Sequence, residues 1–333
     1  MSTEVKVYEH TTPGAARGRI RLLQLYPRDM NIYGDWGNTL VLIRRAQWVG
    51  YDVELASYDP GEELPGAVDL VVGGGGQDSG QERIKEDLTA RGPQLRAWAR
   101  DGMPMLVICG LYQLFGRRFV TGTGGQIPGI SIFDAETVAG SGRLIGNITL
   151  ESKSFGRIVG YENHSGLTTL APGVAPFGRV RSGDGNNGRD GTEGARADHV
   201  IGTYLHGSLL PKNPAVADWL LARAVERAGG TWESERPGGL DERADAWAER
   251  ARRVAASRPR RDRLGSAVPR PASFRFRAGR GLRDHRHLMT LEPSRIILAR
   301  QRAGLPKTAL ARAAGVAPRT VTTWESRGAP HHG

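Results

Sequence analysis

The chain has 333 residues, 39% hydrophobic and 24% charged, an ordinary globular composition with room for one good core and a second small domain. One cysteine excludes an internal disulfide framework. No apolar run reaches membrane-spanning length, and residues 1–12 lack the apolar segment of a signal peptide, so a cytoplasmic protein is expected. The formal net charge of +11 is lopsided: residues 1–250 hold 27 Lys+Arg against 31 Asp+Glu, and residues 251–333 hold 19 against 4. The basicity belongs to the tail and says nothing about what the main domain binds.

In chain order, Ile20–Leu25 reads as a short apolar strand. Residues 38–48 have helical spacing, with Leu40, Ile43 and Trp48 among the apolar positions. Val53–Ser57 and Leu70–Val72 are further strands, the latter running into Gly73–Gly76. Residues 81–100 read as a helix interrupted at Gly92-Pro93. Met105–Ile108 is a strand, followed by Cys109-Gly110 and a helix over Leu111–Phe115. Between Gly116 and Asp198, short apolar runs alternate with Gly- and Asn-rich turns such as Gly183–Gly191, which predicts hairpins or an irregular mixed region. Val200–Leu205 is the last strand, and residues 214–228 form a closing helix with Ala217, Leu220, Leu221 and Val225 on one face. The βαβα order predicts an α/β three-layer sandwich around a largely parallel sheet, spanning residues 18–255.

Cys109 ends an apolar strand and precedes a helix. A nucleophile on such a turn is presented at the carboxyl edge of the sheet, beside helix N–H groups that favour a thiolate and an oxyanion. A buried structural cysteine would occupy the same place, and position alone leaves the two readings balanced. The glycine run 73–76 follows a neighbouring strand, and no Gly-Lys-Ser/Thr follows it, which excludes a phosphate-binding P-loop. Its amides are placed to complete an oxyanion hole; the other reading is a flexible loop. Among the histidines, His206 follows the last strand and shares the edge inferred for Cys109. His10, His164 and His199 compete less well.

These residues, with five separated strings in order, resemble the triad glutamine amidotransferases of class I, in their cobyric-acid-synthase-like branch. The strings are residues 26–35 (YPRDMNIYGD), 107–114 (VICGLYQL), 160–166 (GYENHSG), 204–207 (YLHG) and 210–214 (LPKNP). Within that branch they look like glutaminase subunits of lipid II isoglutaminyl synthases. The resemblance implies that Cys109 is the nucleophile and His206 its base, that L-glutamine is hydrolysed through a thioester, and that Arg143 binds the substrate carboxylate. It implies Gly75 and the Leu111 amide as oxyanion donors, with no metal and no cofactor in this chain. ATP and Mg are expected on a MurT-like Mur ligase partner, which would form a heterodimer with the chain and use the ammonia to amidate the D-glutamate of lipid II at the inner face of the membrane. Another acceptor, such as a cobalamin precursor, and a glutamine-sensing DNA-binding regulator are the other readings.

One departure concerns the third catalytic group. The superfamily's His-x-Glu pattern would put an acid at position 208, which here is Ser208. Either a distant acid orients His206 or the partner supplies one, and the resemblance favours the partner. Asp35, Asp78 and Glu162 read as structural or interface residues, Asp35 as a helix cap near Gly37 or Asn38. Tyr112 and Gln113 fit helix packing or a substrate pocket.

Beyond the main domain, residues 256–290 read as a disordered basic linker. Residues 291–327 regain helical periodicity around a turn at Gly315 and resemble part of an XRE-type helix-turn-helix, a small all-α segment with weak DNA binding as its expected property. A genuine fusion, a truncated module and a read-through into a neighbouring gene fit this segment equally.

Overall fold

The computed structural model describes residues 5–207, 209–232, 240–258, 290–291 and 329–330. It divides into two units, 1–266 and 267–333. The first contains β1 (Lys6–His10), β2 (Gly18–Leu25), α1 (Trp36–Val49), β3 (Tyr51–Tyr58), β4 (Leu70–Gly73), α2 (Asp78–Arg100), β5 (Met105–Ile108) and α3 (Gly110–Phe115). There follow β6 (Arg118–Val120), β7 (Gln126–Pro128), β8 (Ala135–Ser152), β9 (Gly156–Leu170), β10 (Gly178–Ser182), β11 (Thr192–Glu193), β12 (Ala195–Ala197), β13 (Val200–Thr203), α4 (Leu209–Lys212), α5 (Pro214–Arg227) and α6 (Leu240–Ser257). No helix among the described residues is long and apolar enough to cross a membrane.

The main sheet has the order β1-β3-β2-β4-β5-β13-β12. Its five inner strands run parallel, and the edge strands β1 and β12 are antiparallel. Every residue of β4, β5 and β13 is buried, which is why these segments read as unbroken apolar runs rather than alternating ones. From β2 the chain crosses through α1 to β3 on one side, then returns past β2 to β4 and continues through α2 to β5. Right-handed crossovers in opposite directions place α1 and α2 on opposite faces, giving helix, sheet and helix layers. The direction reverses between β2 and β4, and in such sheets the crevice beyond the carboxyl ends at the reversal holds the ligand.

The helices differ from the sequence expectation in two details. In α1 the buried apolar face is Leu42, Ile43, Ala46 and Val49, while Leu40 is exposed. The helix ends at Gly50, whose φ of +96° closes it with N–H bonds to Ala46 and Gln47 carbonyls. In α2 the helix continues through Pro93. Ile84 and Leu88 before the proline and Leu95 and Ala99 after it are all buried, and their burial outweighs the roughly 3 kcal/mol a proline costs inside a helix.

The Gly-rich middle of the chain forms a second, mostly antiparallel sheet, ordered β11-β10-β8-β6-β7 with β9 also pairing β8. Its β8–β9 ladder is interrupted once: Ala139 pairs with Gly166, but the next pair is Leu144 with His164. Residues 140–143 therefore bulge out opposite Ser165 alone, and Arg143 leaves the ladder at its last position.

Helices α1, α5 and α6 are joined by Arg45, which is 4% exposed at its side chain and bonds Asp218 at 2.6 Å and Asp245 at 2.7 Å. In the second unit, β14 (Thr290–Leu291) pairs antiparallel with β15 (Ala329–Pro330). Leu291, expected to open a helical segment, is thus in a strand. Of the expected linker, Ala256 and Ser257 close α6 and Thr290 is in β14; residues 259–289, the rest of the helix-turn-helix segment and Ser208 lie outside the described residues.

Candidate active site

Four neighbouring parallel strands each deliver one residue to the same edge. Asp35 follows β2, Gly75 follows β4, Cys109 follows β5 and His206 follows β13. At Cys109 the chain turns from strand to helix with φ 50° and ψ −104°, a left-handed backbone that a non-glycine residue adopts only where the surroundings enforce it. Its N–H donates to the Thr203 carbonyl at 2.8 Å and its carbonyl accepts from Gln113, so the elbow is fixed to β13 and to α3. The thiol is buried at the mouth of the turn.

The glycine run is a packing feature, not a mobile loop. A Cβ on Gly75 would come within 2.8 Å of His206 Cε1, 2.9 Å of Cys109 Cβ and 3.3 Å of Asp35 Oδ2. Gly75 thus lies where the three side chains converge, and the Cys109 and His206 side chains are within a side-chain length of each other. A Cβ on Gly110 would reach Met30 Cε at 2.7 Å and the Gly76 nitrogen at 3.0 Å, so the loop after β4 lies directly against the elbow.

His206 is 1% exposed. Its N–H donates to the Tyr161 carbonyl at 3.0 Å, tying it to β9. Its Nδ1 meets Asp35 Oδ2 at 3.2 Å and Oδ1 at 3.3 Å. The other nitrogen, Nε2, is buried and makes no hydrogen bond, while Cys109 is close enough to act electrostatically on the ring. Burial works against the charged imidazolium, but the Asp35 carboxylate and the Cys109 sulfur outweigh it and raise the pKa to about 10.

Asp35 corrects the sequence reading. It occupies the N-cap position of α1, yet its side chain makes no cap bond. Instead the carboxylate, 3% exposed, faces His206 and accepts the Gly75 N–H at 2.6 Å. An acid of this chain therefore faces the imidazole, where the sequence reading favoured one from a partner. The signal was the acid at the end of the 26–35 string, but nothing local reveals that the loop after β2 reaches His206.

Gly75 is corrected as well. Its amide is engaged with Asp35, so it is not aimed at an oxyanion. The Leu111 amide lies in the first turn of α3, where N–H groups have no partner within the helix. Arg143 is placed by the β8 bulge: its Nε and Nη2 donate to Asn163 Oδ1 at 3.0 and 2.8 Å, and Nη2 also reaches the Asn163 carbonyl at 3.1 Å and the Tyr33 hydroxyl at 3.4 Å. The Tyr33 ring meets the His206 ring edge-on, centroids 4.8 Å apart. Arg143 is connected to His206 through that tyrosine.

The competing groups have other tasks. His199 precedes β13, at the far end of that strand from Cys109, and its Nδ1 pairs with the Gly102 carbonyl at 2.8 Å. His10 closes the edge strand β1. His164 is stacked on Tyr204 at 3.5 Å, and burial pushes its pKa down to about 3, so it stays neutral. Glu162 accepts the Asp184 and Gly185 N–H groups at 2.8 Å, shaping the turn that begins at Gly183. Asp78 is exposed at the start of α2. Gln113 and Tyr112 face the core: Gln113 accepts from Gln81 Nε2 at 2.7 Å and donates to the Tyr204 hydroxyl at 3.2 Å, and Tyr112 donates to Asn186 at 3.1 Å.

Residues 21–214 match the model of the CobB/CobQ-like glutamine amidotransferase domain. The chain is 37% identical over 235 residues to a protein of Staphylococcus aureus (strain N315) named lipid II isoglutaminyl synthase (glutamine-hydrolyzing) subunit GatD, covering 70% of this chain and 95% of that one. It is 33% identical to the protein of the same name from Streptococcus pneumoniae (strain ATCC BAA-255 / R6), covering 64% and 83%. It is 30% identical to the cobyric acid synthase of Sphingopyxis alaskensis (strain DSM 13593 / LMG 18877 / RB2256), covering 51% of this chain but 35% of that protein. With the Cys109 elbow, His206 and Asp35 gathered at one sheet edge, and the matched region spanning more than half its length, the chain belongs to the CobB/CobQ-like family of glutamine amidotransferases.

Proposed function

We propose that the chain is the glutaminase subunit of a lipid II isoglutaminyl synthase, releasing ammonia from L-glutamine for a MurT-like ligase that amidates the D-glutamate α-carboxyl of lipid II. The observation that carries this reading is the Asp35–His206–Cys109 alignment, in a chain that resembles GatD along nearly the whole GatD length. Cys109 Sγ attacks the glutamine carboxamide carbon, its proton having passed to His206 Nε2. The carbonyl oxygen gains charge, and the amides of Leu111 and Gly76 are the donors we assign to it. As the tetrahedral intermediate collapses, the imidazolium gives its proton to the leaving nitrogen. Ammonia departs and a γ-glutamyl thioester remains on Cys109. Water, deprotonated by His206, then hydrolyses the thioester to glutamate.

Asp35 holds Nδ1 as the donor side of the ring throughout, leaving Nε2 for the reaction. Arg143 takes the substrate α-carboxylate through Nη1, the guanidinium nitrogen not engaged with Asn163 or Tyr33. ATP and Mg act on the partner ligase, and the heterodimer works at the inner face of the membrane, where its lipid substrate resides.

The test is lipid II amidation by the full chain mixed with its ligase. Cys109→Ala should abolish amidation with glutamine as nitrogen donor and leave amidation with ammonium salts intact. Glutamine-dependent amidation by Cys109→Ala would overturn the reading. An acceptor other than lipid II would appear as glutamine hydrolysis without lipid II amidation.

A further inference from the structure

Tyr33 combines three features that its position in a surface loop does not require. It is 47% exposed, although a bulky aromatic residue gains most by burial. Its φ is +53°, followed by Gly34 at +79°, so a large side chain occupies the left-handed region that glycine tolerates best. Its ring nevertheless stands edge-on to His206, and its hydroxyl meets Arg143. The turn is held from beneath: the Ile32 N–H donates to the Gly75 carbonyl at 3.2 Å, and a Cβ on Gly207 would strike the Gly34 carbonyl. The loop is thus clamped between the glycine run and the residue after His206.

Arg143 explains why that matters. Its Nε and Nη2 are committed to Asn163, Nη1 makes no hydrogen bond among the described residues, and no carboxylate there pairs with it. The cation is held by neutral oxygens, in place but not neutralised. An unneutralised guanidinium with Nη1 open suits a carboxylate arriving at that nitrogen.

We propose, resting on the glutaminase reading above, that Tyr33 is a positioning and specificity residue that fixes the spacing between the carboxylate-binding guanidinium of Arg143 and the catalytic ring of His206. It touches both groups, and no other described side chain bridges them by ring contact and hydrogen bond. The substrate must place its α-carboxylate at Arg143 and its carboxamide carbon at Cys109. A rigid aromatic spacer selects the length that satisfies both, so glutamine fits and asparagine, one methylene shorter, reaches only one end. A misplacement of about 1 Å is enough to cost roughly 10²-fold in rate.

The test is steady-state hydrolysis by the full chain, with its ligase where turnover requires it. Tyr33→Phe keeps the ring and removes the hydroxyl. It should raise KM for glutamine about 3- to 10-fold, the worth of one long hydrogen bond from a charged donor, with kcat within about twofold. For 4-aminobutanamide, which has the carboxamide but no carboxylate, the effect should be at least about threefold smaller, since Arg143 then has nothing to bind. Tyr33→Gly removes the ring at a position whose backbone suits glycine. It should keep a Tm equal to or above that of the parent chain while kcat/KM for glutamine drops by about 10²-fold and the preference for glutamine over asparagine narrows at least about tenfold. Parent-like kinetics in both variants, or equal losses for both substrates in Tyr33→Phe, would overturn the assignment. A parent chain without glutaminase activity, or full activity in Cys109→Ala, would overturn the glutaminase reading instead.

Discussion

Asp35 and His206 are 171 positions apart in sequence, and their side chains meet at 3.2 Å. The contact holds the orientation of a buried ring whose opposite nitrogen makes no hydrogen bond. Asp35→Asn replaces the carboxylate with an amide that cannot supply the charge. We expect kcat/KM for glutamine to fall by about 10²-fold or more, the usual range for a disabled acid–base group. The high-pH limb of the profile should also move down from about 10, because the largest influence raising the His206 pKa is removed. A pH–rate series on both proteins checks this, and an unmoved limb would contradict it.

The same ring makes stability depend on pH. A histidine raised from its ordinary value near 6.5 to about 10 stabilises the fold fully below pH ~6.5 and loses that contribution as pH rises through about 10. Glu193, pushed up to about 8 by burial, acts in the same direction, with its contribution lost between about pH 4 and 8. The difference between the parent chain and His206→Gln therefore isolates the histidine. Urea midpoints across pH 6 to 10.5 should decline more steeply in the parent, and parallel curves would argue against a charged ring.

Gly75→Ala puts a methyl where His206, Cys109 and Asp35 converge. The ring and the sulfur must then move apart. Glutaminase kcat should drop by at least about tenfold, with the Tm lowered by only a few degrees, as seen by single-turnover kinetics and calorimetry.

Arg45 tests the other side of the sheet. Arg45→Ala removes the buried guanidinium that Asp218 and Asp245 share. Because the two carboxylates are 27% and 41% exposed at their side chains, water screens them once the cation is gone, and the loss is about 1–2 kcal/mol, mostly of guanidinium packing, which denaturant titration measures. Glutaminase kcat/KM at low temperature should remain that of the parent, since Arg45 touches no residue of the site.

Cys109 and His206 were legible in the sequence because each ends a short apolar strand, and strand ends at one edge of a parallel sheet converge whatever lies between them. Asp35 was not. Its local context, an acid just before a helix, is that of a cap, and the packing of Gly34 against Gly207 together with the Gly75 N–H bond holds it toward His206. Gly75 was placed correctly and its task misread, because a glycine run does not say whether its amides or its missing side chains matter. Leu40 looked like core from spacing alone, but α1 buries the stripe at Leu42, Ile43, Ala46 and Val49, with Leu40 off that stripe. The interruption expected at Pro93 followed local propensity, and tertiary burial on either side of it prevailed.

The way four successive strands share the edge has a consequence during synthesis. Contributions come from positions 35, 75, 109 and 206, and the last of them follows a strand that joins the sheet only after the whole second sheet has been made. In a nascent chain short of that point the thiol has no imidazole beside it, so the glutaminase proposed above cannot assemble its site before β13 has been made.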